Sequence, residues 1–329
     1  MKRRLTVWLI YDYFLYLLMR FLDNLINALP EPTALAFGRF VGRMMGLLLP
    51  DRRRAVLENL TIAFGRERSR AWIEQTARKS LEHIGMLAVE FLRIRRWTEE
   101  EMADRIVIEG HLPFNLAMMG GTHGICLLNS HFGCFEVSAA TVKFLGFRLH
   151  LIQTGVKNPF IARYFFSRAG EGTGITTYGH KGIVQEMIRL LKAGEMVAFL
   201  ADQRGDAERG IFVDFFGTPA PANEVFARLA IEGEARILPL CTYRRSDGRY
   251  QSVFEDELRI CVTGDRRQDL ITVSQQFHGL FEKWIRIAPE QGFWVQRKWR
   301  RPPSRRRLFG RKRNLSDTRL PKKPEVSCK

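Results

Sequence analysis

Five cysteines in 329 residues, an odd number with no Cys-x2-Cys anywhere, leave neither a disulfide framework nor a zinc cluster to read. Cys126 and Cys134 lie eight apart, a spacing that suits no metal, so a reducing, cytosol-facing location is expected. There is also no evident Gly-rich phosphate loop and no internal repeat. No small-residue cleavage site follows the apolar amino terminus, so that segment does not read as a removable signal peptide. Acidic residues are missing altogether from 297–313, where ten Lys or Arg stand. That run accounts for much of the net charge of +17 and suits a polyanion: anionic lipid headgroups, an acidic carrier protein or nucleic acid.

A hydrophobic content of 46% is enough for a substantial core, either one large α/β domain or two modest ones. Leu5 to Leu22 is apolar apart from Thr6, Asp12 and Arg20, and Lys2, Arg3 and Arg4 precede it. A central Asp costs about 2.5–3.5 kcal/mol in a bilayer-spanning helix, which argues against a plain span. The polar positions Asp12, Tyr16, Arg20, Asp23 and Asn27 fall on one helix face, and Pro30 marks its end. Thr33 to Leu49 follows with Gly38, Gly42 and Gly46 at four-residue steps, the spacing that lets two helices approach closely. Residues 1–50 therefore read as a membrane-associated helical hairpin, with the basic leading residues on the cytoplasmic side.

Beyond it, 66–96 reads as helices covering a core, and strands then alternate with helices. Strands are expected at 106–108, 124–129, 148–153, 196–201, 211–216, 237–243 and 250–255. Helices are expected after Cys134 and at 159–168, 183–192, 222–232 and 271–287. This alternation predicts an α/β fold, with a mostly parallel central sheet flanked by helices. The resulting division is 1–50 membrane-associated, 51–302 catalytic α/β domain, and 303–329 a basic tail.

Two strand ends carry chemistry. Asn129-Ser-His-Phe-Gly-Cys-Phe-Glu136 places His131 and Glu136 five apart where the apolar run Ile125 to Leu128 closes. An imidazole beside a carboxylate is the minimal equipment for taking a proton from a hydroxyl. With 7 His and 35 acidic residues, such a pair arises by chance on the order of once, so the spacing needs company. Met196 to Arg204 supplies it: a hydrophobic strand that discharges into Asp202, Gln203 and Arg204. Polar groups at the carboxyl ends of strands in an open α/β sheet line its ligand crevice, so the two segments can share one cleft. Cys134, between His131 and Glu136, reads as a buried thiol rather than a nucleophile.

Together these segments resemble the bacterial lipid A biosynthesis (lauroyl/myristoyl) acyltransferases, within the lysophospholipid acyltransferase superfamily. The likeness rests on 129–136, on Ala-Asp-Gln-Arg at 201–204, on Gly-Ile-Phe-Val-Asp-Phe-Phe-Gly-Thr-Pro-Ala at 210–220 and on Ala-Pro-Glu-Gln-Gly-Phe-Trp-Val-Gln-Arg-Lys-Trp at 288–299. Glu58-Asn59-Leu60 through Ala63-Phe64 adds a fifth stretch, and the order is kept over residues 1–302. The family usually has Asn-Trp at 134–135 and His at 296.

The resemblance implies a monotopic enzyme on the cytoplasmic face of the bacterial inner membrane. It would move a fatty acyl chain from acyl carrier protein, or from coenzyme A, to a hydroxyl of a lipid A precursor or related glycolipid. It implies His131 as general base with Glu136 as its partner, Arg168, Asp202 and Gln203 as substrate-binding residues, and neither metal nor cofactor. Another acceptor, a lysophospholipid or different glycolipid, is the near alternative. A non-enzymatic membrane or nucleic-acid binding protein is the distant one, resting on the tail.

Overall fold

The computed structural model describes residues 2–110, 123–152, 156–166, 175–178, 182–208 and 210–299. Arg168 and the basic tail lie outside these residues.

Five helices lead: α1 (Lys2–Ala28), α2 (Glu31–Leu48), α3 (Pro50–Phe64), α4 (Arg70–Ile94) and α5 (Glu99–Arg105). Their ends follow local chemistry. Ser69 caps α4 by accepting from Trp72 N–H, and Thr98 and Glu101 form a reciprocal capping box at α5. Then come β1 (Ile106–Gly110), β2 (Ile125–Asn129), α6 (Phe135–Phe144), β3 (Leu149–Ile152), α7 (Pro159–Phe166), β4 (Ile175–Tyr178), α8 (Ile183–Lys192) and β5 (Met196–Leu200). The remainder is β6 (Ile211–Phe215), β7 (Thr218–Ala222), α9 (Val225–Glu232), β8 (Arg236–Arg244), β9 (Tyr250–Phe254), α10 (Arg266–Ile287) and a 3-10 turn, Pro289–Gln291.

The main sheet runs β1-β9-β8-β2-β5-β3-β4. Every neighbouring pair is parallel except β8 and β9, so the β1–β9 edge runs against the other five strands. β2 sits near the middle with all five residues buried, the pattern of a strand covered on both faces. The mostly parallel α/β sheet expected from the alternation is present.

Several details differ from the sequence reading. α3, α5 and β4 were not expected, and α10 begins at Arg266 rather than 271 because Asp265 caps it with its side chain. The expected helix from 222 starts at Val225, because 218–222 is the second strand of a hairpin with β6. Its two prolines, Pro219 and Pro221, conceal it as a strand. The hairpin turns through Phe216 and Gly217, both at positive φ. Phe216 holds that conformation with a buried ring packed against Phe64, Phe215 and Trp294. Cys126, Cys134 and Cys241 are buried free thiols, whereas Cys261 is disulfide-bonded.

The glycine row of α2 does bring two helices together, but the partner is α4. A Cβ on Gly42 would fall 2.1 Å from the Leu81 carbonyl oxygen, and one on Gly85 only 2.0 Å from that of Gly38. No helix among the described residues is long and apolar enough to cross a membrane. The segment expected as a membrane-associated hairpin is docked, through α2, on α4.

α1 docks with its polar stripe inward. Asn158 donates to Asp12, and Arg96 and the Tyr164 hydroxyl both reach the buried Asp23 carboxylate. The apolar side chains Leu9, Ile10, Phe14, Leu17, Leu18, Phe21 and Leu25 face outward.

Candidate active site

Neighbouring parallel strands release their chains side by side, and the register here decides what meets. Asn129 of β2 pairs with Leu200 of β5, and Ala201 N–H donates to the Asn129 carbonyl. His131 and Asp202 are each two residues past that pair. Their side chains meet, with Nδ1 of His131 2.7 Å from Oδ1 of Asp202. A carboxylate there holds the proton on Nδ1 and leaves Nε2 as the basic nitrogen. Burial disfavours the imidazolium, but the Asp202 charge and hydrogen bond outweigh it, with help from Glu136, and raise the pKa of His131 above its ordinary value. Burial likewise works against the Asp202 carboxylate, and His131 and Lys298 overcome it, so its pKa is lowered.

Glu136 lies in the first turn of α6, half-buried. Burial pushes its carboxyl up to about 7, opposed by the charge of His131. Its interaction with His131 is through space, and the direct hydrogen bond to the ring comes from Asp202. Gln203 is exposed beside Asp202. Cys134 is buried with its pKa driven well up by desolvation, which suits a packing thiol.

The loop bearing His131 is held from beneath. Gly133 adopts a positive φ and sits so near β8 that a Cβ would fall 2.0 Å from the Thr242 carbonyl oxygen. Glu90 of α4 accepts from the Arg244 guanidinium and from the Tyr250 hydroxyl. Arg244 donates to Nδ1 of His83, so the opposite nitrogen of His83 donates to the Gly133 carbonyl at 3.1 Å. Full burial, with the Arg244 charge, pushes His83 down to about 3, so the ring is neutral. The main-chain N–H of Gly133 donates to the carbonyl of Gln291. None of His83, Glu90 and Arg244 stands out by spacing in the sequence.

The roof is the stretch after the 3-10 turn. Phe293 stacks on the His131 ring at 5.4 Å, and Phe135 meets it edge-on at 5.1 Å. Asn59 of α3 donates to the carbonyls of Trp294 and Gln296, and Ser80 to that of Gly292. The Asn59-Leu60 motif thereby gains a structural purpose. Lys298, read in the sequence as part of the basic run, is instead buried. His131, Asp202, Ser130, Phe293 and Lys298 line one small cavity of about 40 Å³, room for a few water molecules. The buried Ser130 hydroxyl there has no protein partner.

Along residues 1–301 the chain matches the protein family described as bacterial lipid A biosynthesis acyltransferase. It is similar to the lipid A biosynthesis lauroyltransferase of Escherichia coli K12, 24% identical over 298 residues, 85% of this chain and 89% of the relative. The lipid A biosynthesis palmitoleoyltransferase of the same organism is 22% identical over 279 residues, covering 84% and 87%. A lipid A biosynthesis acyltransferase of Haemophilus influenzae is 21% identical over 172 residues, 52% of each chain.

Proposed function

The chain belongs to the bacterial lipid A biosynthesis acyltransferase family, and from that premise we propose a fatty acyl transfer from a carrier thioester to a lipid hydroxyl. The thioester is that of acyl carrier protein or coenzyme A, the acceptor a lipid A precursor or related glycolipid, and the place the cytoplasmic face of the inner membrane. Acyl transfer itself is the property of the family; donor, acceptor, catalytic residues and attachment are the parts proposed.

The observation that carries the mechanism is the His131–Asp202 pair at the mouths of two adjacent strands, beside a cavity. With Nδ1 engaged, Nε2 takes the proton of the acceptor hydroxyl as its oxygen attacks the thioester carbonyl carbon. The tetrahedral intermediate collapses, the carbon–sulfur bond breaks, and the imidazolium returns the proton to the departing thiolate. An ester and a free thiol result. Asp202 fixes the tautomer and steadies the imidazolium, and Glu136 supplies a second negative charge that favours it. Gln203, exposed beside Asp202, and Arg168, on the resemblance alone, are assigned to substrate binding.

Membrane attachment is supported by the reversed amphipathicity of α1. A helix that turns Asp12 and Asp23 toward the protein and a row of large apolar side chains outward suits the interfacial region of a bilayer. Lys2, Arg3 and Arg4 suit anionic headgroups at its start. The test is a donor and acceptor panel: purified full-length protein in lipid, acyl carrier protein and coenzyme A thioesters, and lipid A precursors beside lysophospholipids. A product one acyl chain heavier on the lipid A precursor, absent with His131→Gln, supports the reading. Transfer confined to lysophospholipids, or undiminished by the substitution, contradicts it.

A further inference from the structure

Lys298 is the charged group in the site that the mechanism leaves unused. Its ammonium is buried, and two of its three protons are assigned. One goes to the main-chain carbonyl of Asp202 at 2.7 Å and one to Nε2 of His278 at 3.1 Å. His278 of α10 is able to accept because its own Nδ1–H donates to the Ser274 carbonyl at 2.8 Å. The groups facing the ammonium are thus Asp202 at the end of β5, His278 on α10, the His131 ring across the cavity and the Phe215 ring of β6 at 5.4 Å. A buried lysine without a carboxylate hydrogen-bonded to it is costly to keep, and a packing role alone would be filled better by Met or Leu.

We propose that Lys298 is a positioning residue for acyl transfer: its ammonium ties the Asp202 main chain to the His278 ring, fixing the Asp202 carboxylate under His131 and setting a positive charge beside the imidazole. The proposal rests on the reading of His131 as the base. Two consequences follow for the reaction. The charge opposes protonation of His131 and so keeps more of it in the basic form at neutral pH. The tie also depends on Lys298 being protonated, and burial pushes that ammonium down to about 8. An alkaline limb of activity therefore belongs to Lys298, and an acid limb to His131.

The experiment pairs histidine-ring NMR titration of the full-length protein in detergent with pH profiles of kcat and KM. His131→Gln assigns the His131 signal. In Lys298→Met with a near-wild-type melting temperature, the His131 titration should move upward by roughly half a unit or more. At pH 7 kcat should fall by about tenfold or more, with KM for the lipid acceptor nearly unchanged. Lys298→Arg, charged at every accessible pH, should restore most of kcat and lose the decline near pH 8. Lys298→Gln serves in place of Met where Met does not fold.

An unmoved His131 titration in a folded neutral variant overturns the proposal. So does failure of both neutral variants to fold, which makes Lys298 a structural residue. A fault in the base assignment shows itself separately, as activity surviving His131→Gln while the NMR shift still reports on Lys298.

Discussion

His131 and Asp202 meet because the residues preceding each are in register across β2 and β5, and neither residue would find the other without that sheet. On the proposed mechanism the loss of His131 should be nearly complete in effect: His131→Gln should cost at least about 10²–10⁴-fold in kcat/KM, and Asp202→Asn somewhat less, by removing the carboxylate hydrogen-bonded to the ring. Steady-state transfer rates on folded protein measure both. Glu136→Gln should fall between them and wild type, because its influence on His131 is electrostatic. Since the pKa of His131 is raised, kcat/KM should decline on acidification with a midpoint above 6.5, the ordinary value for histidine. A midpoint at or below that value would remove the carboxylates from the account.

Much of this site was legible. His131 and Asp202, which the structure brings together, each follow the end of an apolar strand, and a polar residue closing an apolar run is a local signal. The scaffold of His83, Glu90 and Arg244 was not legible, since its members come from α4 and β8 and only tertiary packing joins them. Lys298 was hidden by its neighbours, a lysine inside a basic run reading as solvated until burial is seen.

Among the elements, α2 and α4 are packed backbone to backbone, so volume is the sensitive variable. Gly42→Val should destabilise the protein by about 1–3 kcal/mol or more, because the Leu81 carbonyl that its Cβ meets belongs to a helix and cannot swing aside. Thermal melts in detergent check this. The same glycine row in the sequence correctly foretold a close helix pair and not which helix would be the partner, since a row of small residues is equally suited to lipid and to a protein core. α1 makes the complementary case. The stripe of Asp12, Tyr16, Arg20, Asp23 and Asn27 was visible, but its direction depends on Asn158, Arg96 and Tyr164, far along the chain, and Arg20 at its margin stays exposed. Replacing Phe14, Leu18 and Phe21 by Glu should lower binding to anionic vesicles by about a hundredfold or more, with secondary structure retained, given ~1.5–3 kcal/mol for each large apolar side chain. Co-sedimentation at equal lipid measures it, and undiminished binding would remove α1 from the membrane contact.

At the scale of the whole molecule, a loss of stability in acid follows from buried neutral histidines such as His83. His83 has a folded pKa near 3 against about 6.5 when unfolded, so the unfolded chain binds the extra proton between those values. Its contribution is present above pH 6.5 and is lost as pH falls, at about 1.4 kcal/mol per unit. Glu136, raised to about 7, works in the opposite sense, so the comparison belongs between wild type and His83→Gln, whose denaturant midpoints should converge on going from pH 7 to pH 5. The α/β class and the strand ends were readable because periodicity and apolar runs are local. The strand order and the docking of α1 and α2 were not, because both are settled by long-range packing. The most direct measurement of the central claim is mass analysis of a lipid A precursor incubated with an acyl carrier protein thioester and the membrane-reconstituted protein. A product heavier by one fatty acyl group, formed by wild type and not by folded His131→Gln, is the predicted result. Equal product from both proteins would contradict it.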